Sequence, residues 1–186
     1  SGIDKFLVKF QQAVRSLKFS SVPVIGAPSG MAIGGGFEVL LHSDKIIAHT
    51  NSVLGLVESG VGLIPGGGGV KETYLRCLTQ LKNSNDAAWK TWMQIGYGQT
   101  GTSPEKSAEL FYFLPERDQT EMNRDYLINA GIALIKEINQ MGYKKPQPQT
   151  IKLPGNSIIN KMEEFMDNGI EKGLFYPCLL YTSPSP

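Results

Sequence analysis

The chain has 186 residues, 41% of them apolar, and a formal net charge of +1. That is enough for one domain with a sizeable core, and a charge so near zero leaves no electrostatic footprint for nucleic acid. No apolar run approaches the roughly 18 residues that read as a membrane span, and the charged Asp4, Lys5 and Lys9 make the opening unlike a secretory leader. Cys77 and Cys178 stand alone, far apart and outside any paired-cysteine metal motif, so a reducing, cytoplasmic setting is expected.

In chain order, Ile3, Phe6, Leu7, Phe10, Val14 and Leu17 recur at intervals of three and four. They predict a helix over 3–19 that Ser20, Ser21 and Pro23 end. Residues 22–27 read as a short buried strand, 28–30 as a turn, and 31–33 as an extended run into Gly34-Gly35-Gly36. A helix is expected over 37–42, with strands over 45–49 and 53–57. Residues 60–69 form a glycine-rich loop of the kind that is more often functional than decorative.

Residues 70–81 read as a helix, and Asn83 or Ser84 caps another that reaches about Ile95. Ser103 is the N-cap and Pro104 the first residue of a short helix. Residues 110–114 read as an apolar strand. Asp118-Gln119-Thr120-Glu121 reads as a capping box for a long helix ending near Met141. Pro146, Pro148 and Pro154 mark an extended linker. Ile158, Ile159, Met162, Phe165 and Met166 give a last amphipathic helix over 157–168. Short strands alternating with helices predict an α/β fold. The expected organisation is a domain over 1–143, a linker over 144–156, a helical segment over 157–176 and a non-native tail over 177–186. That tail has no periodicity and resembles translated sequencing-adapter sequence.

Two glycine clusters, Gly34–Gly36 and Gly66–Gly69, bracket Glu38 and Glu58. A strand, a glycine turn and a helix start present free N–H groups and a partial positive charge, which suits an anion or an oxygen that becomes negative. Other motifs fail. Gly69-Val70-Lys71-Glu72 lacks the Gly-Lys-Ser/Thr of a phosphate loop, Pro65 breaks a dinucleotide fingerprint, and Ser29 stands one place late for a hydrolase elbow. His42 and His49 have no carboxylate at metal spacing and are expected to be core or solvated residues, with no metal bound. Taken singly, Glu38 reads as a helix-start acid and Glu58 as a strand-end acid. Together they read as a carboxylate pair on one pocket, able to hold a water while one of them moves a proton. Partial burial is expected to raise their pKa values.

The run Pro23-Val24-Ile25, then Gly30-Met31-Ala32-Ile33-Gly34-Gly35-Gly36-Phe37-Glu38, continues through Ser43-Asp44, Gly55-Leu56-Val57-Glu58 and 62–68. It closely resembles the core of the crotonase (enoyl-CoA hydratase/isomerase) superfamily. Glu58 follows Glu38 by 20 residues, the separation of the two catalytic glutamates in the hydratases of that superfamily. Residues 102–108 resemble a later family segment, although Leu110-Phe111 stands where glycine-leucine is usual. With Met122-Asn123-Arg124-Asp125 and Leu153-Pro154-Gly155, the chain is similar to the hydratase-like region in 3-hydroxyacyl-CoA dehydrogenase fusion proteins of fatty-acid β-oxidation.

The resemblance implies a crotonase-type α/β spiral core, truncated at its N-terminus, with C-terminal helices. It implies hydration of a 2-enoyl-CoA to a 3-hydroxyacyl-CoA. Gly35 N–H would hold the thioester oxygen, Gly36 would support the enolate, and Gly66 and Gly67 would belong to the substrate loop. Glu38 and Glu58 would position the water, with Glu58 the proton donor to the α-carbon. No cofactor is implied in this chain, since NAD would belong to a dehydrogenase half outside it. The implied partners are an acyl-CoA thioester, that dehydrogenase half and a possible homo-oligomer, with no nucleic acid and no membrane. The family draws its second oxyanion donor from a loop upstream of the opening helix, so the isolated chain is expected to be inactive or very weak. Two other readings stay open: an enoyl-CoA isomerase, and a non-catalytic crotonase-like domain.

Overall fold

The computed structural model describes residues 2–174; the expected foreign tail over 177–186, with Cys178, lies outside the described residues. The chain opens with α1 (Gly2–Lys18), then β1 (Ile25–Gly26), β2 (Met31–Ile33) and α2 (Gly35–Leu41). The same order repeats as β3 (Lys45–His49), β4 (Val53–Gly55) and α3 (Gly69–Leu81), with a 3-10 turn at Glu58–Val61 between strand and helix. β1 and β3 pair in parallel, Ile25 opposite Lys45, in one sheet. β2 and β4 pair in parallel, Met31 opposite Val53, in the other. Each repeat therefore lays one strand in each sheet before its helix, which is one turn of a spiral. Parallel neighbours demand such crossovers, because no tight turn can join them.

α4 (Ser84–Gly96) follows, then β5 (Thr100–Gly101), which joins β4 antiparallel, and α5 (Pro104–Glu109). Asn83 caps α4 by accepting from the N–H groups of Asn85 and Asp86, and Ser103 caps α5 by accepting from Lys106 N–H, as their side chains predict. β6 (Gln119–Glu121) completes the first sheet beside β3, Ile47 opposite Gln119. α6 (Leu127–Gln140) and α7 (Asn156–Glu171) close the described chain.

Two expectations are corrected here. Residues 110–114 form no strand. After α5 the backbone turns through Phe111 at a φ of 56°, and the N–H groups of Tyr112 and Phe113 both donate to Ser107 O. The apolar run is apolar because it dives into the core, where Tyr112, Phe113 and Leu114 are buried. Residues 118–121 form no capping box either. Glu121 is spent in β6, and α6 begins only at Leu127. The buried Asp118 carboxylate accepts instead from the N–H groups of Ile46 and Leu114, at 2.9 Å each, and from the Arg117 guanidinium.

The core joins Phe37, Leu40 and Leu41 of α2 to Ile46, Ala48, Leu54 and Leu56 of the two sheets. Tyr112 meets Phe37 edge-on, with ring centroids 4.8 Å apart. α1 departs from its amphipathic promise: only Val14 is buried, while Ile3 and Phe6 are 71% and 65% exposed. Among the described residues its first two turns lie largely open, and the helix touches the glycine loop mainly through Leu7, Phe10 and Gln11.

Candidate active site

Gly34 caps α2 with a φ of 56°, a backbone region that a side chain disfavours, and its N–H donates to Gly55 O of β4. That cap aims the first-turn amides of α2, those of Gly35 and Gly36, away from the helix, where no intrahelical acceptor exists. Both glycines are exposed.

Glu38 lies one turn further on and is 2% exposed. Its Oε1 accepts from Gly67 N–H at 2.8 Å and from Gly69 N–H at 2.7 Å. The first glycine cluster thus carries the acid, and the second supplies the amides that hold it. Gly67 permits this approach. A Cβ there would stand 2.8 Å from Glu38 Oε2 and 2.2 Å from Phe10 Cε1. Sequence alone does not mark Gly69 as a site residue, because its part depends on a contact 31 residues away.

Glu58 opens the 3-10 turn after β4. Its Oε1 stands 3.4 Å from where a Cβ of Gly34 would be, so its carboxylate faces the cap of α2. Its Oε2 is buried and has no hydrogen-bond partner. Burial pushes the Glu58 carboxyl above its ordinary pKa; its own backbone N–H opposes this, and the charge of Glu38 adds to the rise. The two acids therefore share one electrostatic environment. Glu38 is tied by two amides, and Glu58 keeps its proton to higher pH than an ordinary glutamate does.

Gly66 accepts from Gln11 Nε2 at 2.7 Å through its carbonyl. It lies on the rim of a cavity of about 980 Å³ between the glycine loop, α3, α4 and α7. The wall is mostly apolar, with Leu63, Ile64, Trp92, Ile95, Met162 and Phe165 prominent. Neither Glu38 nor Glu58 lines it; Ser59, Gly66 and Gly68 join it to the acids. Phe10 reaches from α1 to the glycine clusters, its ring 3.7 Å from a Cβ position at Gly35.

His42 is buried, as one of its two expected readings allows, and its Nδ1 lies 2.7 Å from Glu38 O. It does have a carboxylate neighbour, since Glu72 Oε1 is 3.7 Å from Nε2. Sequence spacing misses it because α3 brings Glu72 back from 30 positions away. His49 is half-buried, with Nε2 3.1 Å from Met122 O. Among the described residues no cluster of three or more His, Cys, Asp or Glu could hold a metal ion, and no helix is long and apolar enough to cross a membrane.

Residues 4–84 match the family model described as enoyl-CoA hydratase/isomerase. The chain is 37% identical over 155 residues to a Bacillus subtilis protein named "Probable 3-hydroxyacyl-CoA dehydrogenase", covering 83% of this chain and 20% of that one. It is 32% identical over 172 residues to a Rickettsia prowazekii protein named for a fatty acid oxidation complex trifunctional enzyme, covering 91% and 22%. The chain thus spans about a fifth of the length of these relatives. Among solved structures, an enoyl-CoA hydratase from Bacillus anthracis superposes with a TM-score of 0.62 at 21% identity, over 91% of this chain and 55% of that one. This last likeness shows the fold: an α/β crotonase-type spiral.

Proposed function

We propose that this chain, whose residues 4–84 match the enoyl-CoA hydratase/isomerase family model, belongs to that family and is the hydratase region of a larger fatty-acid β-oxidation protein. The reaction is the addition of water across the double bond of a 2-enoyl-CoA. The observation that carries this reading is the unequal pair of acids. Glu38 is anchored through Oε1 by two amides, which leaves Oε2 as the acceptor for a proton of the attacking water. Glu58, its carboxyl raised by burial and by the Glu38 charge, is the donor.

In this mechanism the water oxygen bonds to the β-carbon and its proton passes to Glu38. The π electrons move toward the thioester oxygen, held at Gly35 N–H with Gly36 beside it in the first turn of α2. Glu58 delivers a proton to the α-carbon, and the product is a 3-hydroxyacyl thioester. The acyl tail runs past Gly66 and Gly67 into the apolar cavity, whose wall repels charge and suits a hydrocarbon chain. No cofactor takes part in this step. The rest of the longer protein, with its nicotinamide chemistry, is the proposed partner, in the cytoplasm.

Both acids are needed to add water, whereas an isomerase only moves a proton; their joint presence favours the hydratase. A non-catalytic, packing role has one observation in its favour, the Phe10 ring lying over Gly35 and Gly67. Hydration of crotonyl-CoA by the full-length polypeptide separates these readings. Glu38→Gln and Glu58→Gln should each lower the rate by about 10²–10⁴-fold, and Phe10→Ala should not lower it. Unchanged hydration in both glutamine variants would sink the catalytic assignment.

A further inference from the structure

The 3-10 turn that carries Glu58 is closed by hydrogen bonds within itself. Gly60 N–H donates to Val57 O, Gly62 N–H to Ser59 O and Leu63 N–H to Glu58 O, each at 3.0 Å. These bonds shape the turn without tying it to another element. Ser59 makes such a tie: its Oγ donates to Ile95 O at 2.8 Å, across 36 positions of sequence. Ile95 lies in the last turn of α4, which ends in a Schellman motif. Gln99 N–H donates to Gln94 O, Gly98 N–H donates to Ile95 O, and Gly98 takes a φ of 57°. A carbonyl oxygen has two lone pairs, so Ile95 O can take the serine hydroxyl as well as Gly98 N–H. Gly98 also lets the two segments approach, since a Cβ there would stand 3.5 Å from Ser59 Oγ. Beyond it the chain returns along β4, where β5 sets Thr100 opposite Gly55. The end of α4 is therefore fixed to the same strand that leads into Glu58.

A hydroxyl beside a helix C-terminus is often no more than a satisfied polar group. Here its neighbour in sequence gives it a further consequence. Glu38 is held by two amides on its carboxylate. Glu58 Oε2 has no hydrogen-bond partner, so where the Glu58 carboxyl stands depends on where its turn stands. We propose that Ser59 is a positioning residue for Glu58: by fastening the 3-10 turn to the end of α4, its hydroxyl keeps the Glu58 carboxyl at the cap of α2, facing Gly34. Alanine at position 59 leaves the internal bonds of the turn, which are all backbone to backbone, and removes the attachment to α4. Threonine keeps a hydroxyl to make it. The role concerns where one carboxyl stands, whichever reaction it serves, although its kinetic consequence rests on the hydratase reading.

The direct test is an NMR titration of the Glu58 side-chain carboxyl in the 186-residue chain. In the wild type, burial holds its midpoint above 4.5. In Ser59→Ala the released turn admits water, and the midpoint should fall toward 4.5. Ser59→Thr should keep the wild-type midpoint. Glu38, whose charge also acts on Glu58, is untouched by either substitution. An unchanged midpoint in Ser59→Ala overturns the proposal, and a fall in Ser59→Thr as large as in Ser59→Ala overturns the part given to the hydroxyl. In the full-length polypeptide, Ser59→Ala should lower kcat for crotonyl-CoA about tenfold with KM unchanged, as a displaced proton donor would. Ser59 also lines the apolar cavity, so a raised KM with kcat unchanged would make it a wall residue and count against positioning. Absence of any hydration in the wild type would count against the hydratase reading and leave the titration result standing.

Discussion

Glu58 shows how burial and a neighbouring charge act on one carboxyl in the same direction. Its unfolded carboxyl titrates near 4.5, and the folded one titrates higher. As pH falls from neutral, the native state takes up this proton first, so its contribution to stability rises through the folded pKa and is complete below 4.5. At neutral pH the native protein carries the cost of an ionised, partly buried acid. Glu58→Gln removes that cost. The variant should be at least as stable as the wild type in urea at pH 7, and its advantage should shrink by pH 4. A variant less stable at pH 7 would contradict the reading. His42 carries the opposite sign. Burial lowers its pKa below 6.5, so its contribution falls as pH drops below that value, and comparing variant with wild type at equal pH removes it. Gly67 sets a steric limit at the same site. Gly67→Ala puts a Cβ 2.2 Å from Phe10 Cε1 and 2.8 Å from Glu38 Oε2. Overpacking of this kind costs about 1–3 kcal/mol. Phe10 can swing aside, but the doubly anchored Glu38 cannot do so without losing a hydrogen bond. Urea denaturation should show the loss, and crotonyl-CoA hydration by the full-length polypeptide should fall with it.

The elements divide by the range of the interaction that makes them. Asn83, Ser103 and Pro104 act within three residues of themselves, and the helices they start lie where the sequence predicts. The glycine clusters and Glu38 were legible for the same reason: strand, turn and helix start are local. The role of Asp118 differs from the sequence expectation because it is not local. Its spacing to Glu121 fits a capping box, yet its carboxylate reaches 72 positions back to Ile46 N–H, and β6 takes the residues a cap would need. Gly69 is a site residue only in the fold, in the same way, since its amide reaches a side chain 31 positions earlier. The consequence at position 118 is measurable. Asp118→Ala leaves the N–H groups of Ile46 and Leu114 buried without their acceptor, each costing about 1–3 kcal/mol. Urea unfolding should show a loss of about 2–6 kcal/mol, and a loss under about 1 kcal/mol would mean that water or a shifted carbonyl replaces the carboxylate.

At the scale of the whole molecule the question is whether α7, beyond the proline-rich stretch, belongs to the same body as the spiral. Two contacts say how it is held. Tyr74 of α3 donates through its hydroxyl to Lys152 O, which pins the stretch before the helix. Phe165 of α7 stands edge-on to Trp89 and Trp92 of α4, with centroids 5.5 and 5.7 Å away, and Lys161 Nζ lies 4.4 Å from the Trp89 ring centroid. Edge-to-face pairs contribute about 0.5–1.5 kcal/mol each beyond the area they bury. Phe165 is half-buried, so removing its ring should cost less than the 3–5 kcal/mol typical of a core phenylalanine, about 2 kcal/mol. Phe165 also walls the apolar cavity with Met162, Met166 and Trp92. Phe165→Ala should therefore do two things together: lower the urea midpoint followed by tryptophan fluorescence, and change the native emission as Trp89 and Trp92 lose their cover. In the full-length polypeptide it should raise KM for a long-chain enoyl-CoA more than for crotonyl-CoA, because on the proposed acyl path only a long tail would reach the α4–α7 wall. Equal effects on both substrates would place the acyl path elsewhere, and unchanged stability and emission would mean that α7 is not docked on α4.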